Sequence, residues 1–152
     1  MKQLEELYEE LHKYNIPVID VNFNDSKAGI ITNGKDTVIA VDYKKIANSK
    51  EEKRIIAEEK AHYETGAFYP FNADKATIDR MEYRANKHVY HELIPYNELK
   101  AMCEKGMNIS ELSDYFGVPF QDILTAYAMY YTEEYKNEKC MEGWYGQVSI
   151  TI

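Results

Sequence analysis

Two hydrophobic periods alternate along the chain. In residues 2–13, Leu4, Leu7, Tyr8 and Leu11 recur every three or four positions, which predicts a helix with one apolar face; Asn15 and Pro17 then act as stop signals. Between 18 and 42 the period falls to two. VIDVNF alternates, GIIT follows Ala28, and TVIAVD follows an Asn33-Gly34 hairpin signal, so this stretch predicts short strands in a small, partly antiparallel sheet. Helical spacing returns at Ser49, where Ser49 and Glu52 have the spacing of a capping box, and runs through EEKRIIAEEKAHYE to Gly66. The inward stripe of this helix is read as Ile55, Ile56, Glu59, His62 and Tyr63.

A third helix is predicted over 75–93 and a fourth over 96–104, separated by Pro95. The stretch 108–131 resembles a helix-turn-helix: Asn108 and Glu111 form a second capping-box pair, Gly117 can end ISELSDYF, and Pro119 starts FQDILTAYAMYY. Residues 132–142 are charged and loop-like, and GQVSITI predicts a final edge strand. The expected organisation is a core over 1–95, a helical extension over 96–131, and a loop with a C-terminal strand over 132–152.

The 152 residues suit one compact domain or a domain with a helical appendage, and 45% hydrophobic content supplies a core. A net charge of −8 repels phosphate backbones and disfavours direct nucleic-acid binding. Cys103 and Cys140 lie far apart and suggest neither a disulfide framework nor a zinc knuckle. The N-terminus has no apolar run of signal-peptide length and nothing approaches a membrane span, so a cytoplasmic protein without membrane contact is expected. The 14 tyrosines either line a groove or fill a core with rings that reach water at one end.

The chemistry concentrates at Glu58-Glu59-Lys60-Ala61-His62. In the zinc-protease pattern H-E-x-x-H, two ligands four apart share a helix face and the glutamate beside the first is the general base. Here Glu58 stands where the first histidine would be, His62 is the second ligand and Glu59 is the base. Glu82, on the next helix, is the best third ligand. Asn86, one turn further on, can donate from its amide and would orient Glu58, since a glutamate ligand needs a donor. Two glutamates and one histidine bring two negative charges to a divalent cation, which weakens the field that remains at the metal. The set is also hard in character, so Zn2+ is the first choice, with Mn2+ or Fe2+ competing. Tyr63, His88 and His91 are candidate contacts to substrate or to the ligands; alternatively they are packing or surface residues, as is expected of His12. The rival view of the whole cluster is a solvated acidic helix face. If the stripe faces inward, however, unpaired acids there would be costly, and a metal accounts for them.

From IIAEEKAHYETG after a short sheet, through E82-Y83-R84-A85 and HELIPYNELKAM to ISELSDYFGVP, the chain resembles the ImmA/IrrE metallopeptidases, especially their phage and mobile-element branch, over roughly 15–131. The resemblance implies an α+β fold: a small mixed or antiparallel sheet on a gluzincin-like helical metal-site core, followed by the helix-turn-helix-like segment. It implies a cytoplasmic zinc endopeptidase that cleaves a helix-turn-helix repressor of a phage or integrated element, with His62 and Glu82 as ligands, Glu58 in the first ligand's place and Glu59 as base. Two alternatives remain. One is a catalytically weak homologue acting as a protein-binding regulator, which Glu58 favours. The other is a DNA-binding regulator using 108–131, although its would-be recognition helix is apolar and acidic where groove readers carry Arg, Lys, Asn and Gln.

Overall fold

The computed structural model describes residues 1–134, which form two compact units, one spanning Lys2–Val89 and the other beginning at Tyr90. The predicted terminal strand GQVSITI and Cys140 lie outside the described residues.

In the first unit, helix α1 (Leu4–Lys13) buries Leu7 and Leu11, one turn apart, and packs on helix α2 (Ser49–Thr65). The Tyr8 hydroxyl donates to Glu52 of α2 at 2.6 Å. After α1 the chain reverses at Asn15, which adopts φ 58°, a left-handed conformation that asparagine tolerates. Three strands follow: β1 (Val18–Asp20), β2 (Ala28–Thr32) and β3 (Thr37–Val41). Their order is β1-β3-β2, with β1 parallel and β2 antiparallel to β3. The sheet is therefore mixed. Ile39, Ala40 and Val41 of the central strand are buried, and β2, an edge strand among the described residues, packs on α2.

VIDVNF is shorter as a strand than its alternation predicts. Asp42 is buried and accepts from the Phe23 amide at 3.0 Å, while the Lys45 ammonium donates to the carbonyls of Phe23, Asn24 and Ser26. These contacts bend the chain off the sheet after one further ladder bond, from the Val21 amide to the Val41 carbonyl. At the hairpin, the Asn33 side chain accepts from the amides of Lys35 and Asp36, and Gly34 takes φ 87°.

Helix α2 begins at Ser49 as read, but its cap lies one residue before the sequence signal. Asn48, not Ser49, is the cap: its side chain accepts from the Glu51 amide at 3.0 Å, and Glu51 in turn accepts from the Ala47 amide. Glu52 is engaged by Tyr8 instead. At the other end Gly66 adopts φ 64° and closes the helix. A Cβ there would meet nothing within 4 Å, so Gly66→Ala is expected to cost about 1–2 kcal/mol through backbone strain alone. Chemical denaturation at neutral pH measures this.

Helix α3 (Lys75–Leu93) is capped by Asp74, which accepts from the Thr77 amide at 2.7 Å. Its last turn belongs to the second unit, together with α4 (Tyr96–Glu104), α5 (Ile109–Phe116) and α6 (Phe120–Met129). The Asn108–Glu111 capping box forms at α5 as expected, and Gly117 ends that helix at φ 63°. Leu112, Phe116, Val118, Ile123 and Ala126 are buried. Four tyrosines of this unit, Tyr90, Tyr96, Tyr127 and Tyr130, are buried packing residues, and the Tyr130 hydroxyl donates to the Ile94 carbonyl at 2.7 Å. Cys103 is buried in α4. Tyr130–Glu134 continue α6 as a π-helical turn, so the first residues of the expected 132–142 loop are helical, and the remainder of that segment lies outside the described residues.

Candidate metal centre

Helices α2 and α3 and the 67–69 segment converge on a cleft of about 280 Å³ lined by Glu58, Glu59, His62, Ala67, Phe68, Tyr69 and Glu82, with Ala28, Gly29 and Ile30 of β2 along one side. Glu58 and His62 share a helix face one turn apart, and Glu82 arrives from α3. One ligand atom from each of Glu58, His62 and Glu82 lies within 4.8 Å of the others.

His62 is buried, and its Nδ1 lies 2.8 Å from the Ala67 carbonyl. A carbonyl can only accept, so Nδ1 carries the proton and, in neutral imidazole, Nε2 presents its lone pair. Nε2 faces Glu82 Oε2 at 3.5 Å. The turn at Gly66 brings Ala67 back beneath its own helix, which fixes the histidine tautomer. On Glu82 the other oxygen, Oε1, accepts from the Tyr69 hydroxyl at 2.5 Å. That hydrogen bond, then burial, pushes the Tyr69 phenol up to about 12, so it remains a donor.

Glu59 is half-buried in the same cleft. Burial first, then the charge of Glu82, raises its carboxyl to about 7, against the opposing pull of Arg54. Negative charge is thus crowded in this cleft, and a cation placed there would draw Glu59 back down.

The other sequence candidates lie elsewhere. Asn86 does not donate to Glu58 as its spacing suggested: its amide oxygen accepts from Arg54 Nη2 at 3.2 Å, and Arg54 is the residue that pairs with Glu58 Oε2. Tyr63 packs against Tyr14 with centroids 5.1 Å apart and ring planes tilted by 48°, and lines a separate cavity with Tyr14, Asn15 and Ile16. His88 Nε2 lies 3.3 Å from Glu64 Oε1. His91 belongs to the second unit, edge-on to Tyr130. Sequence reading missed Arg54, Tyr69 and the Ala67 carbonyl. Arg54 had a usable signal, since it precedes Glu58 by one helical turn; the other two had none.

Residues 13–125 match the IrrE N-terminal-like domain of the M78 peptidases. The chain belongs to this family. Comparison with curated proteins and with solved structures gives no match. The matched span of this IrrE-type domain contains all of α2 and α3, and with them Glu58, Glu59, His62 and Glu82. The donor set fits a divalent cation. Two ligands on a tetrahedral metal with bonds of about 2.1 Å stand about 3.4 Å apart, close to the 3.5 Å between His62 Nε2 and Glu82 Oε2. Among the described residues no helix is long and apolar enough to cross a membrane.

Proposed function

We propose that this IrrE-type domain is a zinc-dependent endopeptidase of gluzincin-like layout, with Glu58, His62 and Glu82 as ligands and Glu59 as general base. The observation that carries it is the convergence of those three ligand atoms within 4.8 Å in the cleft that also holds Glu59. A bound divalent cation would polarise the scissile carbonyl and acidify water; Mn2+ or Fe2+ could replace Zn2+ in so hard a donor set.

The chain's own residues supply the rest. His62 is held in the ligating tautomer by Ala67, and Tyr69 holds one Glu82 oxygen so that the other faces His62. Glu59, in the same cleft and outside the ligand set, can take a proton from water and hand it to the leaving amine. Among the described residues Ala28, Gly29 and Ile30 lie on an edge strand, whose outer amides and carbonyls can receive an extended peptide as an added strand.

The proposed substrate is a helix-turn-helix repressor of a phage or integrated element, met in the cytoplasm, as the resemblance to the ImmA/IrrE metallopeptidases implies. A second reading, a protein-binding regulator with weak catalysis, draws on the pairing of Glu58 with Arg54. DNA reading by 108–131 is poorly supported, since α6 contains no lysine or arginine.

Elemental analysis of untagged protein tests the metal. About one divalent ion per chain is expected, lost in His62→Ala. No metal in the parent after zinc is supplied at neutral pH would remove the peptidase proposal and leave the binding protein.

A further inference from the structure

Arg54 stands one turn before Glu58 on α2 and pairs with its Oε2, while Nη2 of the same guanidinium donates to Asn86 of α3 at 3.2 Å. An exposed pair at this helical spacing would carry little significance. This one involves a member of the ligand cluster, and its arginine is tied to the helix that supplies the third member. The side chain is only 23% exposed. Arginine stays charged at every working pH, and its planar fork can serve two acceptors at once. A carboxylate has two oxygens, so a pair through Oε2 leaves the other for a cation.

We propose that Arg54, anchored by Asn86, is a built-in counter-charge for Glu58 that returns the ligand set to the net charge of two histidines and one glutamate. Glu58 and Glu82 contribute −2, Arg54 contributes +1, and the sum of −1 equals that of the histidine-containing set. The charge penalty expected of glutamate in the first ligand position is thereby offset within the fold. Arg54 is a positioning residue, and the inference rests on the metal-site proposal above.

The consequence is a sign. Arg54 repels the cation it helps to accommodate, so removing its charge tightens binding, whereas removing a mere buttress loosens it. Even with water-like screening, a unit charge about 6 Å from a dication changes affinity about tenfold. Zinc affinity of metal-stripped protein is measured by competition with a chromogenic chelator at neutral pH. Arg54→Gln is expected to bind zinc about tenfold more tightly, with a larger zinc-induced rise in Tm. Arg54→Lys should stay within about threefold of the parent because the charge is kept. Asn86→Leu, which frees the guanidinium to move away, should shift in the same direction as Arg54→Gln but by less. Unchanged or weaker binding in Arg54→Gln overturns the inference, as does equal loosening in Arg54→Gln and Arg54→Lys. His62→Ala separates the two levels. If zinc binding is lost there while Arg54→Gln matches the parent, only the counter-charge role fails. If the parent binds no zinc, the metal site fails and takes the counter-charge with it.

Discussion

Glu59→Gln is expected to lower peptide hydrolysis by roughly 10²–10⁴-fold, the usual contribution of a positioned acid–base group, while metal content stays at the parent level. Glutamine keeps the shape of the side chain and discards only its ability to accept and return a proton. Glu59 lies beside the ligand cluster and outside it, so the substitution separates catalysis from metal retention. In the metal-free cleft burial and the nearby Glu82 raise its carboxyl to about 7, and a bound cation would draw it back towards the carboxylate that a base requires. The measurement is single-turnover cleavage of a repressor substrate next to elemental analysis of both proteins. Retained hydrolysis in the variant would assign the base elsewhere. Loss of both hydrolysis and metal would mean that Glu59 belongs to the ligand set.

The second large effect is on stability. Lys60 sits in the same helix and is 1% exposed, with its ammonium 2.7 Å from Glu64 Oε1 and 2.7 Å from Glu10 Oε2 of α1. Lys60→Met should leave those carboxylates without their buried cation. Breaking a buried pair costs about 3–5 kcal/mol. Glu10 is partly exposed and can hydrate, so roughly 2 kcal/mol is expected, a fall in Tm of about 4–8 °C. The effect has a pH signature. Burial alone would raise the Glu10 carboxyl, but hydrogen bonds from Lys2 and Lys60 outweigh it and hold it below its ordinary 4.5. A carboxyl lowered in the folded state contributes stability above 4.5 and loses it as pH falls through the folded value. Parent and variant should therefore differ most near pH 7 and converge in acid. Urea denaturation of metal-stripped protein at both ends of that range checks it; a difference of the same size in acid would place the role of Lys60 in packing rather than charge.

Local signals were strong enough to be read directly. The apolar stripe of α1, the Asn33-Gly34 hairpin, the Asn108–Glu111 cap and the glycines ending α2 and α5 all act within a few residues, where backbone sterics and capping decide the outcome. Glu58 and His62 were legible for the same reason: one helical turn places them together whatever the rest of the chain does. Glu82 could be proposed because a helix after a short loop can fold back on its predecessor. Where two local signals competed, long-range contacts chose between them. Tyr8 takes Glu52 out of the capping box, so Asn48 and Glu51 cap α2, and Asp42 with Lys45 cuts the first strand short.

The sequence by itself determined the helices, the strands and the two-member start of the metal cluster, because those depend on spacing within one element. Tertiary structure alone decided the mixed strand order, the burial of Lys60, the donation of Tyr69 to Glu82 and the interception of Asn86 by Arg54. Each of these depends on which groups from distant segments are desolvated together. A charged side chain selects its partner by what lies within about 3 Å once water is excluded, and spacing along the chain carries no record of that.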